Sequence, residues 1–99
     1  MSGEPADSEP PPARRTVTIV NRLGLHARAA AKFVETGARY RATIAVTRNG
    51  TTVSGLSILG LMMLAAGPGS EIEISISGPD GTAALDALAS LVSRGFDEN

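Results

Sequence analysis

Two alternating stretches joined by Asn49-Gly50 constrain this chain more than any other feature. In "YRATIAVTR" (40–48), Tyr40, Ala42, Ile44 and Val46 share one face, while Arg41, Thr43, Ala45 and Thr47 share the other. That is the period of a half-buried strand. Asn and Gly tolerate the positive φ that a two-residue hairpin turn requires, so "TTVS" (51–54) returns as an antiparallel partner. A lone hairpin cannot bury its apolar face, so further layers must cover it.

The rest of the sequence supplies them. "TVTIV" (Thr16–Val20) and "EIEISIS" (Glu71–Ser77) alternate in the same way, the second with Ile72, Ile74 and Ile76 inward. "HARAAAKFVETGA" predicts a helix from about His26, with Ala27, Ala30, Ala31 and Val34 near helical spacing and Gly37 as its stop. "SILGLMMLAAG" predicts a second, capped by Ser57 and ended around Gly67-Pro68. "PDGTAALDALASLVSRGF" predicts a third, with Ala84, Leu85, Leu88, Leu91 and Val92 on one stripe. Asp80 or Thr82 would cap its start and Gly95 its end. The order is β-α-β-β-α-β-α: an α+β open-faced sandwich of four strands with the helices on one face. Many small binding modules share that pattern, so it does not specify function.

Composition removes several function classes. Without cysteine there is no disulfide, thiol nucleophile or thiolate metal site, and one histidine does not make a His-based metal cluster. Three aromatic residues, Phe33, Tyr40 and Phe96, are too few for base-stacking platforms, which argues against a nucleic-acid partner. No stretch is apolar for long enough to cross a bilayer, and no signal-peptide pattern opens the chain. "MSGEPADSEPPPA" carries Glu4, Asp7, Glu9 and four prolines, so residues 1–13 read as a disordered tail. From Arg14 onward, nine basic residues stand against seven acidic ones, a net charge of +2.

The lone imidazole, His26, stands in "NRLGLHARAAA", where a loop turns into a helix. Backbone N–H groups at a helix start lack intrahelical acceptors and, with the helix dipole, suit an anion. Arg28 adds a guanidinium fork, and Gly24 permits the sharp turn that leaves the ring exposed. A phosphoryl group on His26 would be held by those amides and Arg28. By themselves the residues do not select this reading, since a lone histidine at a helix start is more often a surface or capping residue than a nucleophile. No second carboxylate or base lies at a sequence distance that suggests a triad. There is no P-loop and no G-x-G-x-x-G pattern, so a phosphoryl donor would have to be another protein, with no cofactor.

Two motifs together are more specific. "GLHARAAAKFV" and "SILGLMMLAAGPGSEIEISISGPDGTAALDAL" resemble the two signature segments of the HPr family, the histidine phosphocarriers of the phosphoenolpyruvate-dependent phosphotransferase system and their nitrogen-related paralogues. The resemblance runs from about Arg15 to the C-terminus and implies an HPr-like phosphocarrier domain over 14–99. It implies a four-stranded antiparallel sheet with three helices on one side. It also implies that His26 accepts the phosphoryl group on Nδ1, that Arg28 supports transfer, and that Ser57 is the site of regulatory phosphorylation. Ala27 and Ala31, with Ile58, Leu59 and Met62, would form the partner-docking surface. The implied partners are enzyme I, an enzyme IIA domain and an HPr serine kinase/phosphorylase. The implied protein is a cytoplasmic monomer, a phosphorylated intermediate and not an enzyme turning over a small molecule. A regulatory adaptor that binds partners according to its phosphorylation state is the other reading. Ala29 stands where many members carry proline, and the acidic tail lies outside the family pattern.

Overall fold

The computed structural model describes residues 12–98. The elements are β1 (Ala13–Thr18), α1 (Ala27–Gly37), β2 (Thr43–Arg48), β3 (Thr51–Ser54), α2 (Ile58–Met63), β4 (Glu71–Ser77) and α3 (Gly81–Ser93). A short 3-10 turn, Gly95–Asp97, ends the described chain. The strands form one antiparallel sheet in the order β1-β4-β2-β3. This is the expected open sheet with three helices. The tail reading falls largely on residues 1–11, outside the described residues, but Ala13 belongs to β1.

Side-chain alternation assigns the two faces of the sheet. Ile72, Ile74 and Ile76 of β4 are buried, and register sets them beside Val17 of β1 and Ile44 and Val46 of β2. Leu85, Leu88, Leu91 and Val92 of α3 and Phe33 of α1 complete this core. The opposite face is polar, with Thr47 and Thr52 joined across the hairpin at 2.7 Å. At the turn, Asn49 has φ 50° and Gly50 φ 81°, as the Asn-Gly signal requires.

Element limits differ from expectation for identifiable reasons. β1 runs from Ala13 to Thr18, not Thr16–Val20, because its partner β4 begins at Glu71, the residue opposite Thr18. Ile19 instead exchanges bonds with the loop before β4: its N–H donates to Ser70 O, and its carbonyl accepts from Gly69 N–H, both at 2.8 Å. β2 begins at Thr43 because Tyr40 N–H is turned back onto Gly37 O at 3.2 Å. The buried face of α1 carries Ala29, Ala30, Phe33 and Gly37, while Ala27 is exposed. Gly37 is the last residue of α1, as expected, and it is also a close-contact position, since a Cβ there would lie 2.7 Å from Ile44 Cδ1. α2 stops at Met63, four residues early, and Ala65 is already left-handed at φ 53°. Asp80 holds the N-cap position of α3 but makes no cap bond. Its carboxylate accepts the N–H of Arg41 at 2.8 Å, tying the start of α3 to the approach to β2. Gly95, with φ 66°, follows α3 as the expected left-handed stop.

Gly55 is a sensitive point in the sheet. Its N–H donates to Ile44 O at 2.8 Å, and a Cβ would stand 2.2 Å from Ile44 Cγ2 and 2.8 Å from Ile44 Cβ. Those atoms form the branched base of a core side chain and cannot swing away. Gly55→Ala is expected to lower stability by about 1–3 kcal/mol through overpacking. The measurement is the urea midpoint at unchanged m-value, and an unmoved midpoint would contradict it.

Candidate functional site

The loop between β1 and α1 is fixed before any side chain acts. Leu25 N–H donates to Ala66 O at 2.9 Å, which pins the loop to the segment after α2. Gly24 makes this possible: it sits at φ +65°, and a Cβ would lie 2.4 Å from Ala66 O. Asn21, a buried polar side chain, donates from Nδ2 to Gly24 O at 2.8 Å and so braces the turn from inside.

His26 follows as the N-cap of α1, with extended backbone at φ −75° and ψ 177°. Its carbonyl accepts the first helical bond, from Ala30 N–H, at 2.8 Å. Its side chain makes no cap bond, and the first turn of α1 contains no acidic residue. The amides of Ala27, Arg28 and Ala29 therefore have no intrahelical acceptor. The imidazole is 28% exposed and opens on a groove of about 1120 Å³ whose walls include Leu23, Ala27, Arg28, Lys32, Arg94 and Glu98. Arg22 also lines this groove; it and Arg28 are exposed and make no ion pair among the described residues.

Sequence reasoning missed one residue here. Glu98 lies 72 positions beyond His26, and its Oε2 meets His26 Nε2, while its Oε1 accepts from Asn21 Nδ2 at 3.0 Å. Sequence spacing had offered no carboxylate to the histidine; the fold provides one through the last turn. Gly95, Phe96 and Asp97 are all left-handed, at φ 66°, 58° and 60°, which turns the chain end back onto α1. For Phe96 and Asp97 that conformation costs on the order of 1–3 kcal/mol each. Complete burial of the Phe96 ring offsets part of it. Lys32 Nζ also donates to Phe96 O at 2.7 Å, and Arg94 pairs with Asp97 at 2.9 Å. The only signal in the sequence was an aromatic residue placed after a helix-stopping glycine.

A carboxylate can only accept, so the neutral imidazole facing it carries its proton on Nε2 and its lone pair on Nδ1. Nδ1 has no hydrogen-bond partner among the described residues. With the ring neutral, the site combines a lone pair on Nδ1, unpaired helix-start amides and cations along the same groove, an arrangement suited to bonding and holding an anionic electrophile.

The other expected residues are divided over two places. Ala31 is half-buried on α1. Ile58, Leu59 and Met62 of α2 are exposed, at 41%, 69% and 39%, and Leu61 of the same helix is core. Met63 of α2 is also exposed, and so are Leu23 and Leu56, which were not foreseen. Ser57 caps α2, its Oγ accepting Gly60 N–H at 2.9 Å, and it does not line the His26 groove.

A family model described as "PTS HPr component phosphorylation site" matches residues 13–94. The chain belongs to the HPr family. It is 45% identical over 85 residues to the phosphocarrier protein HPr of Cupriavidus necator, covering 86% of this chain and 96% of that one. It is also 45% identical over 84 residues to the phosphocarrier protein NPr of Shewanella violacea, covering 85% and 92%. The crystal structure of HPr-C-His from Thermoanaerobacter tengcongensis superposes with a TM-score of 0.84 at 36% identity, covering 88% of this chain and 98% of that one. As an HPr, the protein serves as a phosphocarrier of the phosphotransferase system. Among its described residues, no helix is long and apolar enough to cross a membrane.

The Glu98 carboxyl is held below the usual glutamate range, first by its hydrogen bond to His26 and then by that from Asn21. A depressed folded-state pKa means stability that is fully present above the ordinary value of 4.5 and lost as pH falls through the lowered midpoint. Carbon-detected NMR titration of the Glu98 carboxyl should give a midpoint below 4.5, moving toward it in Asn21→Ala. A midpoint at or above 4.5 in the unaltered protein would show that the contact is not formed in solution.

Proposed function

We propose that His26 is the phosphoryl acceptor, that the bond forms at Nδ1, and that Arg28 stabilises the transferred group. Phospho-enzyme I is the donor and an enzyme IIA domain the acceptor. The observation that carries this reading is the engaged Nε2: with that nitrogen occupied by Glu98, the lone pair of the chain's single imidazole is on Nδ1. Arg28 lies two residues into the same helix start, along the same groove. Ala27, Ala31, Ile58, Leu59 and Met62 form the docking surface, where small residues on α1 admit a partner close to the ring. The methionine and leucine side chains of α2 adapt to more than one partner. In this reading the protein acts as a cytoplasmic monomer, a carrier that is itself the substrate.

Phosphoenolpyruvate and enzyme I should add one acid-labile, base-stable phosphate, read by intact mass, and His26→Ala should abolish it. Arg28→Ala should slow transfer by at least about tenfold, the order expected for losing one positioned charge. A phosphate retained in His26→Ala would refute the assignment.

Ser57 is proposed as a site for an HPr serine kinase/phosphorylase. Its Oγ already sits against a helix-start amide, where a phosphate would find favourable charge. ATP and such a kinase should label the protein and leave Ser57→Ala unlabelled. The same substitution removes the cap bond and should cost about 1 kcal/mol of stability. Labelling that persists in Ser57→Ala would exclude this site.

The resemblance to an NPr favours a second reading, a regulatory adaptor of a nitrogen-type or incomplete phosphotransferase system. Phosphate on His26 would then change the charge beside the exposed apolar surface of α2 and so select partners.

A further inference from the structure

The chain end is built around one contact. Gly95, Phe96 and Asp97 turn in the left-handed region, Phe96 is anchored in the core, and Lys32 holds the Phe96 carbonyl. The consequence of this folding is to deliver Glu98 to His26. Both carboxylate oxygens are then used, Oε1 by Asn21 and Oε2 by the imidazole. Asn21 also grips Gly24 O, so one buried amide couples the loop that presents His26 to the carboxylate that faces it.

We propose that Glu98 is a positioning residue for phosphoryl transfer, fixing the His26 tautomer through Nε2–H and countering the positive charge the ring acquires when Nδ1 bonds phosphorus. This rests on His26 being the phosphoryl acceptor. In the step, the Nδ1 lone pair forms the N–P bond, and the bond from phosphorus to the donor breaks with its electron pair leaving on the donor. No proton is transferred to or from Nε2. The ring passes from neutral imidazole to a phosphoimidazolium, and the carboxylate already in place becomes its counter-charge. A histidine whose second nitrogen is oriented by a carboxylate is a recurrent device for presenting the first in one tautomer. Discharge to the next acceptor reverses the charge change, so Glu98 also bears on how readily the phosphate is given up.

The test uses the full chain as wild type, Glu98→Gln and Glu98→Ala. Nitrogen-15 NMR of unphosphorylated His26 should show the Nε2–H tautomer predominating in the wild type. Glu98→Gln keeps an acceptor and should retain that tautomer, whereas Glu98→Ala should shift toward a mixture. Phosphorylation by enzyme I should fall at least about tenfold in Glu98→Ala and by less in Glu98→Gln. Amide spectra unchanged outside the site exclude unfolding as the cause. Unmoved His26 nitrogen shifts in Glu98→Ala overturn the proposal whatever the rate, and so does an unchanged rate with shifted tautomer. Absence of phosphate on wild-type His26 would instead defeat the acceptor assignment, a result distinct from either.

Discussion

The pairing of β1 with β4 is the constraint on which the rest of the structure depends. It closes more than fifty residues of chain into one sheet and places the central isoleucines of β4 between two partners. The ladder continues beyond the strands, since Ile19 bonds on both sides to the Gly69–Ser70 segment. Leu25 N–H then reaches Ala66 O, so the chain before His26 is stitched to the chain before β4 at three points. A loop carrying a reactive side chain would ordinarily be the mobile part of a small domain. Here it inherits the rigidity of the sheet, and the imidazole is presented from a fixed base.

Charge at the site follows from how the start of α1 and the last turn of the chain are finished. At α1 the N-cap residue offers no side-chain acceptor and the first turn no acid, so the amides of Ala27, Arg28 and Ala29 remain available. Ala29 contributes here through its backbone. A proline at that position would remove one of these N–H groups, whereas Ala29 keeps it while packing its methyl fully into the core. The carboxylate in contact with the ring approaches from the last turn of the chain, on the Nε2 side. The ring thus has negative charge beside Nε2, while unpaired helix-start donors and cations share its groove.

The alternating strands, the Asn49-Gly50 turn and the α3 stripe were legible in the sequence because each is a local pattern that burial enforces. Limits of elements were less so. The end of β1 is set by where β4 begins, and the end of α2 by the left-handed Ala65, neither of which a periodicity contains. Gly37 ends α1 as its spacing suggests, but its close approach to Ile44, an element away, is a contact that no local spacing contains. His26, Arg28 and Ser57 stood out by residue type at the starts of helices. Glu98 did not, because its position depends on three successive left-handed residues and a buried ring. The sequence reading of "GFDE" went no further than Gly95 as a helix end.

The two proposed phosphate sites, His26 and Ser57, differ in how each finishes its helix. Both residues are N-caps with extended backbone. Ser57 Oγ already satisfies Gly60 N–H, so a phosphate on it must replace a bond that the helix has. His26 satisfies none, and the donors around it are unspent until an anion arrives. Transient loading and discharge would suit the second arrangement, in which the protein would gain interactions on phosphorylation and lose only those on release. A modification at Ser57 instead exchanges one capped state for another, more highly charged one, beside the exposed side chains of Ile58 and Leu59. Such a charge at the edge of the proposed docking surface would penalise partners that must bury the same edge, because a desolvated phosphate without a cationic partner is costly.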